Sequence, residues 1–191
     1  FDIITSERLA KALDLKNEDP KTVKRYGNDC KNFLLARRVV EAGARFVTLT
    51  TGGWDTHGDN FGAMRHILPA YDMAIHALLT DLSERGLDQD VAVVIWGEFG
   101  RHPFINNRRS GRDHWPAAGF ALLAGGGRKT GQIIGATDRL GTKPSGGHYM
   151  PQNVLATLYR VLGIDPAITT ANHAGRPMYL LDDRKPVEEL V

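Results

Sequence analysis

The chain has 191 residues, of which 42% are hydrophobic and 24% are charged, and its formal net charge is +2. This composition is ordinary for a globular protein with a sizeable core, and so small a charge gives no reason to expect a nucleic-acid partner. The single cysteine excludes an intrachain disulfide bond, and no apolar stretch approaches the ~20 residues of a membrane span.

The first half of the chain predicts a helix, a strand and a long second helix. Apolar residues recur near helical spacing over residues 21–42, and residues 45–50 form the first clear strand. After a glycine pair, an apolar stripe over residues 59–86 advances in steps of three and four, which predicts an amphipathic helix kinked at Pro69. The stripe consists of Phe61, Met64, Leu68, Tyr71, Ile75, Leu78 and Leu82, and its members from Phe61 to Leu78 are expected to be buried against the sheet.

The second half predicts further strands and one more helix. Residues 91–96 are an unbroken apolar run, typical of a strand buried on both faces, so a strand–helix–strand unit with parallel strands is expected. A third strand is predicted at residues 120–124, a helix from Pro151 to Gly163, and a short strand at 178–181. We therefore predict one α/β domain over residues 1–191, with a mainly parallel sheet flanked by helices.

Acid and histidine side chains follow two of the predicted strands. Asp55 and His57 come after residues 45–50, and because alternate residues of an extended segment point the same way, both can reach one metal ion. Glu98 follows the strand at 91–96, and Asp113 and His114 follow the next loop. Carboxylate and imidazole groups suit Zn²⁺ or Mn²⁺. We predict a divalent metal site at the carboxyl edge of the sheet, in which Asp55, His57 and His114 hold one ion. Glu98, together with Asp113, is expected to contact a second ion or the substrate.

Each of these residues also has an ordinary structural interpretation. Asp55 can bridge a turn while His57 lies on the surface, and Glu98 can pair with Arg101. Asp113 and His114 can form a hydrogen-bonded structural pair.

Four arginines lie between residues 97 and 115. Guanidinium groups match the geometry of phosphate and sulfate, so Arg101 and Arg112 are predicted to bind an anion. Arg108 and Arg109 are expected to form a solvated basic loop. This positive charge is local, so a nucleic-acid role is not favoured.

Five motifs occur in a specific order over nearly the whole chain. They are Gly-Trp-Asp-Thr-His at 53–57, Gly-Glu-Phe-Gly-Arg at 97–101, Gly-Arg-Asp-His-Trp at 111–115, Ala-Gly-Gly-Gly at 124–127 and Ala-Thr-Leu-Tyr-Arg-Val-Leu-Gly-Ile-Asp at 156–165. Their order resembles the bacterial family catalogued as domain of unknown function 1501, which is similar to the alkaline-phosphatase-like superfamily of phosphatases, sulfatases and phosphoglycerate mutases. The resemblance implies an α/β/α sandwich with a metal site at the strand ends, and an exported, periplasmic or extracellular location.

The resemblance implies that the residues at the matching motif positions, Asp55, His57, Glu98 and His114, are metal ligands. Superfamily enzymes usually have Asp-His where this chain has Glu98-Phe99, so a second metal ion would lose a ligand. Their opening strand supplies an acid ligand and the nucleophile, and it precedes the segment seen here. We therefore expect the C-terminal portion of a larger protein, with its catalytic nucleophile unassigned. It is expected to be inactive alone and able to self-associate through an open sheet edge.

The sequence thus predicts a metal-dependent hydrolase of phosphate or sulfate esters, acting on a small anionic substrate. The alternative is a non-catalytic binding or surface protein that retains the fold. A Glu98 side chain paired with an arginine would favour the alternative.

Overall fold

The computed structural model describes residues 6–191. Two compact units are distinguished: the first runs to Gly86 and includes Ile105–Arg112, and the second contains Leu87–Phe104 and Asp113–Val191. The assignment of residues 1–191 to one domain stays a prediction.

Four α-helices dominate the first unit. Side chains at Ser6 and Asp19 accept hydrogen bonds from the first turns of two of them, which satisfies backbone N–H groups that have no partner within the helix. The single helix predicted over residues 21–42 is two helices, because Gly27 ends the first with a φ of 72°. The helices are α1 (Glu7–Leu13), α2 (Pro20–Tyr26), α3 (Lys31–Glu41) and α4 (Asn60–Glu84), with a 3₁₀ helix at Leu15–Asn17.

Helix α4 confirms the predicted amphipathic helix and contains Pro69 in its interior. It packs against α2 and α3, whereas the sequence predicted a sheet on this face. Its second half supplies the buried apolar side chains, among them Leu78 and Leu82. Phe61 and Leu68 were predicted to be buried but are 43% and 47% exposed. The predicted stripe therefore holds for the C-terminal half of the helix only.

A buried charge cluster joins the helices of the first unit. The Arg37 side chain, 1% exposed, pairs with Glu18 at 2.7 Å, with Asp81 at 2.8 Å and with Glu41. Tyr26 donates a hydrogen bond to Asp81 at 2.9 Å. Burial, together with the Asp81 charge, raises the pKa of Tyr26. Since each buried charge meets an opposite charge, the cluster holds three helices in register rather than leaving an uncompensated ion.

The second unit contains short antiparallel strand pairs and one α-helix. Its helix α5 (Pro151–Val161) begins at the predicted proline. No helix within residues 6–191 combines the length and apolarity needed to cross a membrane. The strand pairs are β1 (Ala92–Trp96) with β4 (Ala121–Gly125), β2 (Gly100–Arg101) with β3 (His114–Trp115), and β5 (Thr169–Ala171) with β6 (Pro177–Tyr179).

The prediction of a mainly parallel sheet flanked by helices, an alkaline-phosphatase-like α/β/α sandwich, is wrong. Within residues 6–191 every sheet has two strands and every pair is antiparallel. Residues 45–50 contain no strand, and β1 pairs with β4 antiparallel instead of continuing a parallel unit. An apolar β-branched run predicts a strand that is shielded from water. It carries no information on the direction of its partner.

The C-terminal tail packs along α5 through hydrogen bonds to the helix side chains. Asn153 donates from its side chain to the Asp183 carboxylate at 2.8 Å and to the Lys185 carbonyl at 2.9 Å. The Val187 N–H donates to the Thr157 hydroxyl at 2.8 Å. These bonds fix residues 183–187, which have no regular structure of their own.

Candidate metal centre

A tight bend positions Asp55 and His57. The Thr56 N–H donates to the Trp54 carbonyl at 2.9 Å, and the His57 N–H donates to the Asp55 carbonyl at 3.2 Å. Such bonds between residues two apart turn the chain sharply. His57 Nε2 lies 3.1 Å from Asp55 Oδ1, and the two side chains are 47% and 68% exposed. The two candidate ligands therefore converge where solvent can reach them.

Trp54 and Thr56, which alternate with Asp55 and His57, make packing and hydrogen-bond contacts within the first unit. Thr56 is buried, and its hydroxyl accepts a hydrogen bond from Asn60 at 2.6 Å. The Trp54 ring packs edge-on against Tyr71 with 5.1 Å between ring centroids. Trp54 is thus a packing residue, and Thr56 is directed away from the candidate ligands.

Asp55, His57 and His114 form a group that could hold a metal ion. One ligand atom from each lies within 4.8 Å of the others, and all three residues are exposed. Two ligands at ~2.0–2.2 Å from a tetrahedral ion are roughly 3.3–3.6 Å apart, a spacing that the Asp55–His57 contact nearly meets. Three protein ligands with an open position are typical of catalytic zinc sites. The donors present, two imidazoles and one carboxylate, therefore fit the predicted Zn²⁺ or Mn²⁺.

A two-residue strand pair and an aromatic ring position His114. In the β2–β3 pair, His114 lies opposite Arg101. The Phe99 ring contacts the imidazole, with 4.5 Å between centroids. The backbone at Gly100 lies close to the backbone of Ala118, and only glycine fits there, because a Cβ would lie 2.0 Å from the Ala118 carbonyl oxygen. The imidazole is thereby held by backbone pairing on one side and ring packing on the other.

Glu98 and Asp113, the other predicted ligands, lie outside this group. Glu98 is exposed in the bend after β1, and it has no hydrogen bond or ion pair with any residue of the described range 6–191. The alternative pairing of Glu98 with Arg101 therefore does not form. Asp113 is exposed, and its backbone carbonyl accepts from the His102 N–H at 2.8 Å.

The arginines of the loop lie in different settings. Arg101 is half-buried in β2. The Arg112 N–H donates to the Thr56 carbonyl at 3.0 Å, and its guanidinium carbon lies 5.6 Å from the centroid of the Phe61 ring. Arg108 and Arg109 are exposed, as expected of a solvated basic loop. Anion binding by Arg101 and Arg112 stays a prediction.

Asn106 is the site residue that the sequence did not reveal. Its side-chain nitrogen donates to the His57 carbonyl at 3.0 Å. Its side-chain oxygen accepts from the N–H groups of Arg109 and Gly111 at 3.2 and 3.3 Å. Asn107 next to it is exposed, and no local pattern separates the two asparagines. Only the density of asparagine beside arginine in this loop was a signal.

The geometry and the donor set define a helix-rich protein with a candidate three-ligand metal centre. A family model described as a protein of unknown function, DUF1501, matches residues 2–191, and the chain belongs to this family. This match confirms the family resemblance seen in the sequence motifs. Comparison with curated proteins and with solved structures found no match.

Proposed function

We propose that this protein binds one divalent metal ion, Zn²⁺ or Mn²⁺, and uses it to hydrolyse phosphate or sulfate esters. The observation that carries the proposal is the convergence of Asp55, His57 and His114. The ester class is supported by the likeness of the motifs at 53–57 and 111–115 to the alkaline-phosphatase-like superfamily. This likeness concerns the motifs alone, since the architecture differs.

Each group has a distinct role in the proposed reaction. A divalent ion supplies Lewis acidity toward an ester oxygen. Asp55, His57 and His114 hold that ion, while Arg101 and Arg112 bind the anionic group through charge-assisted hydrogen bonds. Thr56 is not the attacking group in this arrangement, because it is buried and its hydroxyl is bonded to Asn60.

The alternative is a non-catalytic binding protein that keeps the acid and histidine cluster for structure. A structural role for Glu98 would pair it with an arginine. Glu98 makes no ion pair with any residue from 6 to 191, so this argument for the alternative is not met.

Metal binding is tested by titrating Zn²⁺ and Mn²⁺ into the purified protein in a calorimeter. We expect one ion per chain for the wild type and loss of binding in His57→Ala and in His114→Ala. His66→Ala is the matched control, because His66 is an exposed histidine on α4 outside the candidate site. This variant should bind the ion as the wild type does. Equal affinity in the wild type and both site variants would contradict the metal centre.

Hydrolysis is tested with aryl phosphate and aryl sulfate esters in the presence of the bound metal. The assay uses residues 1–191 and, if the gene encodes a longer chain, that chain as well. Turnover that depends on the metal and disappears in His57→Ala supports the proposal. Turnover that survives both histidine substitutions contradicts the site, and binding without turnover in either chain favours the alternative.

A further inference from the structure

The segment Ile105–Arg112, here called the strap, lies along residues 56–60 of the same unit. Four hydrogen bonds and one isolated β-bridge connect the two segments. They are Arg112 N–H to the Thr56 carbonyl (3.0 Å), the Asn106 side chain to the His57 carbonyl (3.0 Å), Asp59 N–H to the Arg109 carbonyl (2.7 Å), Asn60 N–H to the Ser110 carbonyl (3.2 Å), and the bridge between Gly58 and Ser110. The backbone on both sides of His57 is therefore fixed by the strap.

Asn106 is the point at which the strap's own shape and the position of His57 are coupled. Its side-chain oxygen accepts two N–H groups of the strap, and its N–H donates to the Gly111 carbonyl at 2.9 Å. The remaining polar group, the side-chain nitrogen, donates to His57. Because the amide oxygen faces these two donors and the amide nitrogen faces this acceptor, only one orientation of the amide makes all three bonds.

The packing beside this bond leaves His57 little freedom. A Cβ on Gly111 would lie 2.1 Å from the backbone carbon and oxygen of His57, so the strap and the ligand residue are in backbone contact. The carbonyl that Asn106 holds belongs to the residue whose Nε2 lies 3.1 Å from Asp55 Oδ1. A shift of this carbonyl therefore moves the imidazole relative to its partner ligand.

We propose that Asn106 is a positioning residue of the metal centre: its side-chain amide sets the place of His57 relative to Asp55. This inference rests on the proposed metal-binding function. It differs from a general loop-stabilising role, which would change the folded fraction without changing the ligand geometry of the folded protein. Groups that orient a ligand from outside the coordination sphere typically change metal affinity about 10–100-fold when removed.

The test compares Asn106→Ala, Asn106→Asp and Asn107→Ala with the wild type. Asn106→Asp keeps the oxygen that accepts from Arg109 and Gly111 but loses the donor to the His57 carbonyl. Its added negative charge would by simple attraction strengthen cation binding, so weaker binding isolates the loss of the donor. Asn107 is exposed, and it has no hydrogen bond with the residues that the structure describes, which makes Asn107→Ala the matched control.

Two measurements are made on each variant: Zn²⁺ affinity by calorimetry and the visible absorption spectrum at saturating Co²⁺, which reports ligand geometry. We expect about 10-fold or weaker Zn²⁺ binding and an altered Co²⁺ spectrum for both Asn106 variants, with Asn107→Ala unchanged. If either Asn106 variant is partly unfolded, the saturated Co²⁺ spectrum of its folded fraction still decides the question.

An unchanged affinity and spectrum in both Asn106 variants, while His57→Ala loses the metal, would overturn the positioning role and leave the proposed function standing. A wild-type protein that binds neither Zn²⁺ nor Mn²⁺ would overturn both proposals. The two failures are therefore distinguishable.

Discussion

Gly111 is the residue at which the backbone tolerates the least change near the candidate centre. It is buried, and an added methyl group would overlap the His57 carbonyl, so Gly111→Ala must displace either the strap or His57. We expect about 1–3 kcal/mol of destabilisation, typical of an overpacked site, together with weaker Zn²⁺ binding. Urea unfolding and calorimetry measure the two effects.

Gly52→Ala is the control for this prediction, because a Cβ at Gly52 would have no atom within 4 Å. It should change stability by less than about 0.5 kcal/mol and leave Zn²⁺ affinity unchanged. Normal metal binding by Gly111→Ala would show that the close approach to His57 does not constrain the site.

The sequence predicted the three candidate ligands, but it did not predict Asn106, whose side chain holds the His57 carbonyl. Asp55 and His57 were predicted together because their spacing of two is local, and His114 was predicted because its motif is distinctive. Asn106 depends on a contact across 49 positions of sequence, made through a side chain that looks the same as that of Asn107. Local patterns report periodicity and turn chemistry, and they do not report which of two equivalent side chains meets a distant carbonyl.

Among the elements, α4 allows a comparison within one helix. Leu78 is 7% exposed while Leu68 is 47% exposed, although both belong to the same predicted stripe. Leu78→Ala should cost about 2–5 kcal/mol because it removes buried methyl groups and leaves a cavity. Leu68→Ala should cost less than about 0.5 kcal/mol, since much of its side chain is already in water. Equal losses in thermal unfolding would show that the buried face of α4 has been misassigned.

The elements also show how far hydrophobic pattern carries a fold prediction. The 3.6-residue period located α4 and α5, since helices satisfy their backbone hydrogen bonds locally, but in α4 it identified the buried face in the C-terminal half only. Strands β1 and β4 were located too, but their antiparallel pairing was not. A strand's hydrogen-bond partner is distant in sequence, so the apolar runs predicted the places of strands and left the sheet's topology undetermined.

At the scale of the whole chain, the small net charge conceals a dense internal pairing of charges. Glu18 is 7% exposed and lies 2.7 Å from Arg37, 2.6 Å from Arg38 and 3.4 Å from Arg85. Desolvation by burial acts to raise the pKa of Glu18, but hydrogen bonds from Arg38 and Arg37 outweigh it and lower that pKa below its ordinary 4.5. The ionised carboxylate of Glu18 is therefore stabilised in the folded state relative to the unfolded chain.

The sign of the resulting pH dependence follows from the direction of that shift. A carboxyl whose pKa is lower in the folded state contributes stability that is complete above its unfolded pKa, near 4.5, and is lost as pH falls through the folded value. Glu18→Gln removes the charge at every pH and should cost about 1.5–3 kcal/mol at pH 7, the strength of hydrogen bonds to a charged group. Below the folded pKa the wild type is itself protonated at Glu18, so the difference between the two proteins should vanish. Urea unfolding followed by helical circular dichroism from pH 7 to about 3 measures this difference. A gap between wild type and Glu18→Gln that stays constant across that range would mean that the charge of Glu18 does not hold the helices together.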